Sequence, residues 1–141
     1  MRLTAVSKTI GLACIALLVG ACTANVRSVN EKVIKSVRVG DITILLQSSS
    51  GEIRSGENNL ILSFTDASGS PVDIPAASLR FYMPAMGAMA EMNDIANLTT
   101  TETPGRFQAR VDIEVAGSWE AMISFQGPRG TEQTSMSVNS K

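Results

Sequence analysis

Four methionines recur at every third position of one ten-residue stretch, Met83-Pro84-Ala85-Met86-Gly87-Ala88-Met89-Ala90-Glu91-Met92, in a chain of 141 residues with no histidine. A thioether is a soft, uncharged donor that suits Cu(I) or Ag(I) and serves Mg, Ca or Cu(II) poorly. Met83, Met86, Met89 and Met92 are therefore candidate ligands of a reduced, monovalent ion held mainly by sulfur. Methionine has two other common uses, as a filler of irregular gaps in a core and as an adaptable apolar surface for a protein partner. The spacing bears on the choice. A strand would send Met83 and Met89 to one face and Met86 and Met92 to the other, while an α-helix would fan the four across about half its circumference. Only a path of three residues per turn stacks all four on one line. Pro84 favours an extended backbone at Met83 and Gly87 permits a bend, so residues 83–92 read as an irregular connection between strands, at the surface. Ala85, Ala88 and Ala90 leave the sulfurs unshielded, which suits a ligand loop better than a core plug, and Glu91 is the one charged residue inside the stretch.

Other chemistry is narrowed by what the chain lacks. The only cysteines are Cys14 and Cys22, both near the N-terminus, so zinc fingers, blue-copper centres and histidine-ligated haem are excluded on residue inventory. Beyond the N-terminal segment the lysines are Lys32, Lys35 and Lys141, and serine–histidine, cysteine–histidine and serine–lysine pairs cannot be assembled. The chain reads as a non-enzyme. Asp112 and Glu114 share a strand face with Arg110 and read as a solvated, salt-bridged surface. Trp119 is in a position to cap a cuprous ion by cation–π contact, but it alternates in register with Ala121, Ile123 and Phe125 and reads as core. Met122 shares the opposite face with Glu120 and Ser124.

The first residues say where such a site would work. Arg2 and Lys8 flank a start that runs into the apolar stretch Thr9 to Val19, too short to span a bilayer and followed by the small residues Gly20-Ala21, as in a secretory signal. Leu18-Val19-Gly20-Ala21-Cys22 resembles the lipobox of bacterial lipoproteins. That resemblance implies a signal peptide over residues 1–21, cleavage before Cys22, and lipidation of Cys22. Acyl chains contribute about 0.8 kcal/mol per buried methylene, so the membrane partner would be held through lipid alone. The expected place is the periplasmic face of a bacterial cell envelope, with Thr23 after the cysteine favouring the outer over the inner membrane. Removing residues 1–21 takes away two of twelve basic residues and none of the thirteen acidic ones, which leaves a formal charge of −3. Nothing in that balance points to nucleic acid.

Residues 22–37, polar with scattered valines, read as the lipidated cysteine and a tether. A helical turn through Val26, Val29 and Val33 would need packing to persist. Residues 38–141 read as one domain that alternates with period two. Ile42, Ile44 and Leu46, then Leu60, Leu62 and Phe64, Leu79 and Phe81, Phe107, Ala109, Val111 and Ile113, Trp119, Ala121, Ile123 and Phe125, and more weakly Met136 and Val138, mark one face of successive strands. Turn signals lie between them at Ser50-Gly51, Ser55-Gly56, Ser68-Gly69-Ser70-Pro71, Thr103-Pro104-Gly105, Ala116-Gly117 and Gly127-Pro128-Arg129-Gly130. The expected fold is all-β, an immunoglobulin-like antiparallel β-sandwich of about seven strands, with a small barrel as the alternative.

Within that frame a set of motifs is similar to a known family. Gly56 and Asn59 before Leu60-Ile61-Leu62, Asp66, Gly69, Pro71-Val72, Met83-Pro84-x-Met86 with Met89, Pro104-Gly105-x-Phe107 and Ala116-Gly117-x-Trp119 resemble the YtkA-like domains, immunoglobulin-like envelope modules related to FixH-like proteins. The resemblance runs from about Gly40 to Val138. It implies a β-sandwich on the envelope side of a bacterial membrane, found alone as lipoproteins or joined to heavy-metal efflux adaptors, and FixH-like relatives are associated with copper oxidase assembly. A copper-handling or efflux protein is therefore the implied partner. This chain departs from a mixed histidine and methionine site in having no histidine beside the methionines.

Overall fold

The computed structural model describes residues 30–141; the signal segment, Cys22 and the start of the tether lie outside the described residues. Those residues form nine strands: β1 (Lys32–Val39), β2 (Ile42–Ser48), β3 (Gly56–Thr65), β4 (Ala77–Met83), β5 (Met92–Ile95), β6 (Asn97–Thr100), β7 (Arg106–Ile113), β8 (Gly117–Gly127) and β9 (Gly130–Ser140). Every pairing between them is antiparallel. One sheet has the order β1-β2-β3-β7-β6 and the other β5-β4-β8-β9. Without β1, these are the two sheets of an immunoglobulin-like sandwich, each closed by a short edge strand.

The period-two residues meet between the sheets. Ile44, Leu46, Leu62, Phe64, Leu79, Phe81, Ile113, Trp119, Ala121, Ile123 and Phe125 are all almost fully buried, as alternation requires when one face of each sheet is covered. Phe64 sits at the centre, edge-on to Phe107 at 6.1 Å and tilted against Phe125 at 5.0 Å. The opposite faces are wet: Asp112 and Glu114 are exposed, and Arg110 pairs with Glu57 at 3.3 Å.

Two expectations change. The tether does not extend to residue 37, because Lys32–Val37 belong to β1, which pairs with β2 from Lys32↔Ser48 to Val39↔Ile42. Its residues are mostly exposed and its register shifts between Val33 and Lys35. A strand held by backbone pairing at a sheet edge has no need of hydrophobic alternation, so its sequence carried no period. Just before β1, Glu31 pairs with Arg106. The strand count is nine rather than seven for the same reason, since β5 and β6 have four residues each and bury little. The Ser68-Gly69-Ser70 turn is where it was expected, closed by the Asp66 carboxylate, which accepts from the Ser68 N–H at 2.8 Å and the Ser70 N–H at 3.0 Å. The bond from the Ser68 hydroxyl to the same carboxylate, together with those two backbone bonds, holds the Asp66 pKa below its ordinary value.

Candidate functional site

The methionine stretch is a hairpin at the edge of the β5-β4-β8-β9 sheet. β4 and β5 pair through Arg80↔Ile95, Phe81↔Asp94, Tyr82↔Asn93 and Met83↔Met92. Beyond that the strands part at Pro84-Ala85 and Ala90-Glu91, then meet again where Met86 and Met89 bond each other twice. The Met86 N–H donates to the Met89 carbonyl at 3.1 Å, and the Met89 N–H donates to the Met86 carbonyl at 2.9 Å. Two residues, Gly87 and Ala88, close the tip. Gly87 has φ of +58° and no non-glycine residue among those described has a positive φ, the pattern of a type II′ turn.

The four methionines are therefore two cross-strand pairs, each equidistant from the Gly87–Ala88 bond. Within each arm a spacing of three is odd, so Met86 turns to the other side from Met83, and Met89 to the other side from Met92, while each cross-strand pair shares a face. Met83 is 3% exposed and belongs to the core, where its Cε occupies the space beside Gly117. Its partner Met92 is half-buried against the same core. Met86 and Met89 are 57% and 44% exposed. As a directly opposed pair their Cβ atoms lie about 4.5–5.5 Å apart, within easy convergence of two flexible thioethers. Pro84, Ala85, Gly87, Ala88, Ala90 and Glu91 around them are all exposed. The surface connection expected for residues 83–92 is present, but a line of four stacked sulfurs is not: Met83 fills the core, Met92 supports the base, and Met86 and Met89 are the open donors.

The base of the hairpin is held by polar contacts. The Ala96 N–H donates to the Leu79 carbonyl at 3.0 Å, and the largely buried Asp94 accepts from the Glu114 N–H at 3.2 Å, tying β5 to the turn after β7. On the outside the Tyr82 hydroxyl donates to the Glu91 carboxylate at 3.2 Å. That hydrogen bond, with some desolvation and the repulsion between phenolate and carboxylate, raises the Tyr82 pKa above 10.0. A raised value favours the protonated phenol, so the contact holds at neutral pH and is lost as pH rises through the Tyr82 pKa. In a Glu91→Ala chain, titration of phenolate absorbance is expected to show Tyr82 ionising at lower pH than in the parent protein. An unchanged midpoint would mean that the contact does not form in solution.

The other sequence candidates separate cleanly. Trp119 is 1% exposed and its indole N–H donates to the Val115 carbonyl at 3.1 Å, so it is a core residue with its polar edge satisfied. Met122 lies on the outer face as expected, 37% exposed, and there its sulfur accepts from the Arg80 guanidinium at 3.2 Å. Among the described residues no three Asp, Glu, Cys or His side chains gather in a way that would hold a metal. The symmetry of the methionines about Gly87–Ala88 was present in the sequence and is a signal for a two-residue hairpin. The contact between Arg80 and Met122, 42 residues apart, left no such signal.

These features define an immunoglobulin-like sandwich that displays a methionine pair on an edge hairpin. No curated protein and no solved structure matches the chain. A family model does: the chain belongs to the YtkA-like family, whose model covers residues 37–124, from the end of β1 into β8 with the hairpin inside it.

Proposed function

We propose that this protein is an envelope lipoprotein, anchored through Cys22, whose hairpin takes up Cu(I) or Ag(I) for buffering, delivery or efflux. The observation that carries this reading is the Met86–Met89 pair: two exposed soft donors set opposite one another on a closed turn, with no competing imidazole or thiolate among the described residues. Met83 and Met92 serve by packing the base of the hairpin.

Titrating the purified protein with Cu(I) against a chromogenic chelator tests it. Competition in the micromolar range is expected, lost when Met86 and Met89 both become leucine and retained in Met122→Leu. Loss of one soft donor from a two-donor site is expected to weaken the ion about tenfold or more, by analogy with the effect of disturbing a metal site's immediate support. Absence of competition, or competition unchanged in the double variant, would overturn the reading.

A second reading rests on a different observation. Of the five large apolar side chains well exposed among the described residues, Met86 and Met89 lie on the β4–β5 hairpin, Ile95 on β5 and Met122 on β8, the fifth being Val33. This supports the same edge as an apolar docking surface for a protein partner, with or without an ion.

A further inference from the structure

We propose that Met86 and Met89 form a selective site of reversible oxidation, by peroxide or hypohalous acid, and that their oxidation switches off the uptake of a soft ion. The second half rests on the function proposed above; the first half does not.

Selectivity follows from how each sulfur is placed. Thioether oxidation needs an oxidant to reach a free sulfur lone pair. Met83 and Met136 are 3% and 5% exposed and lie in the core. Met92 is half-buried. Met122 is accessible, but the Arg80 guanidinium donates into its sulfur at 3.2 Å, engaging one of its two lone pairs and making the sulfur a poorer nucleophile. Met86 and Met89 remain, the two most exposed methionines of those described, flanked by alanine, glycine and proline side chains that shield nothing. No thiol lies among the described residues to intercept the oxidant first.

The chemistry balances simply. A sulfur lone pair attacks one peroxide oxygen, the O–O bond breaks, an S=O bond forms and the other oxygen leaves as water with both protons. Each sulfur loses two electrons and the peroxide gains them. Reduction runs the other way with a dithiol: sulfoxide oxygen leaves as water, two thiols become a disulfide and the thioether returns, the reaction that methionine sulfoxide reductases catalyse. A sulfoxide is polar and presents a hard oxygen, so the pair ceases to be a soft donor set. At the exposed tip that oxygen points into water and the core is untouched, so the fold survives both states.

The test maps oxidation by peptide mass spectrometry on the purified protein during exposure to hydrogen peroxide. Met86 and Met89 are expected to gain oxygen at least about fivefold faster than Met122 and about tenfold faster than Met83 and Met136. An Arg80→Ala chain, which frees the Met122 sulfur, is expected to bring Met122 up towards the rate of the hairpin pair. The circular dichroism spectrum should not change, chelator competition for Cu(I) should fall about tenfold or more, and a sulfoxide reductase with dithiol should restore it. Equal rates at Met86, Met89 and Met122, or fastest oxidation at a core methionine, would overturn the site. Full ion uptake by the doubly oxidised protein would overturn the switch. An unoxidised protein that takes no ion overturns the proposed function and the switch with it, and the mass map still decides the site on its own.

Discussion

A Gly105→Ala chain is expected to lose about 3 kcal/mol or more of folding stability, enough to depopulate the native state of many small domains. Gly105 precedes β7 with φ of +65°, and a Cβ there would lie 1.9 Å from the Val72 carbonyl oxygen and 3.3 Å from that of Phe64. The left-handed backbone alone costs an alanine roughly 1–2 kcal/mol. The oxygen it would strike is backbone, so no side chain can swing clear and the chain itself has to move. Movement endangers two bonds that close this end of the sandwich, Phe64 N–H to the Gly105 carbonyl at 2.8 Å and Val72 N–H to the Phe64 carbonyl at 3.0 Å, each contributing about 1 kcal/mol. Gly87→Ala is the matched control: its φ is +58° with nothing within 4 Å of the added carbon, so only the conformational cost of roughly 1–2 kcal/mol remains. Urea melts with a common m-value measure both. Equal losses in the two variants would show that the Val72 carbonyl yields without cost.

Trp119→Ala is expected to cost about 3–5 kcal/mol, the range for emptying a large aromatic site in a core. The indole is 1% exposed, stands opposite Val138 in the β8–β9 register and satisfies the Val115 carbonyl through its N–H. For a domain of about 100 residues each kcal/mol lowers the melting temperature by roughly 4–8 °C, so thermal melts by circular dichroism resolve the effect easily. Trp119→Phe keeps most of the volume and gives up the hydrogen bond, and should lose about 1–2 kcal/mol. The phenylalanine variant also separates fold from site. If the indole were a cap on the ion, chelator competition would weaken in it; a core indole leaves that competition unchanged while the melt shifts.

The core was legible because it obeys a strict rule. Phe107, Ala109, Val111 and Ile113 alternate with Gln108, Arg110 and Asp112, and the apolar series is buried on one face of β7. β1, β5 and β6 escaped because they are held by backbone pairing along sheet edges, where side chains are largely wet and alternation has no energetic consequence. The methionine stretch was legible as a surface connection. Its geometry was less so, because a spacing of three fits neither a helix nor a single strand and resolves into pairs only in a chain that folds back on itself. Folding back at Gly87-Ala88 makes partners of Met83 with Met92 and Met86 with Met89, and burial then assigns one pair to the core and the other to solvent. That assignment depends on Gly117, Trp119 and the rest of β8, which lie some thirty residues downstream, and no local pattern could carry it.

The backbone of the tip is closed by its own two hydrogen bonds before anything binds, so holding an ion there requires ordering little more than two methionine side chains. An ion gripped by two sulfurs on an exposed turn also keeps its remaining coordination positions turned outward. Under the function proposed above, a receiving protein would add its own donors before Met86 and Met89 let go, and the ion would pass across without being free in solution. A two-sulfur site of this kind would favour rapid associative exchange over long residence, the behaviour of a carrier more than of a store.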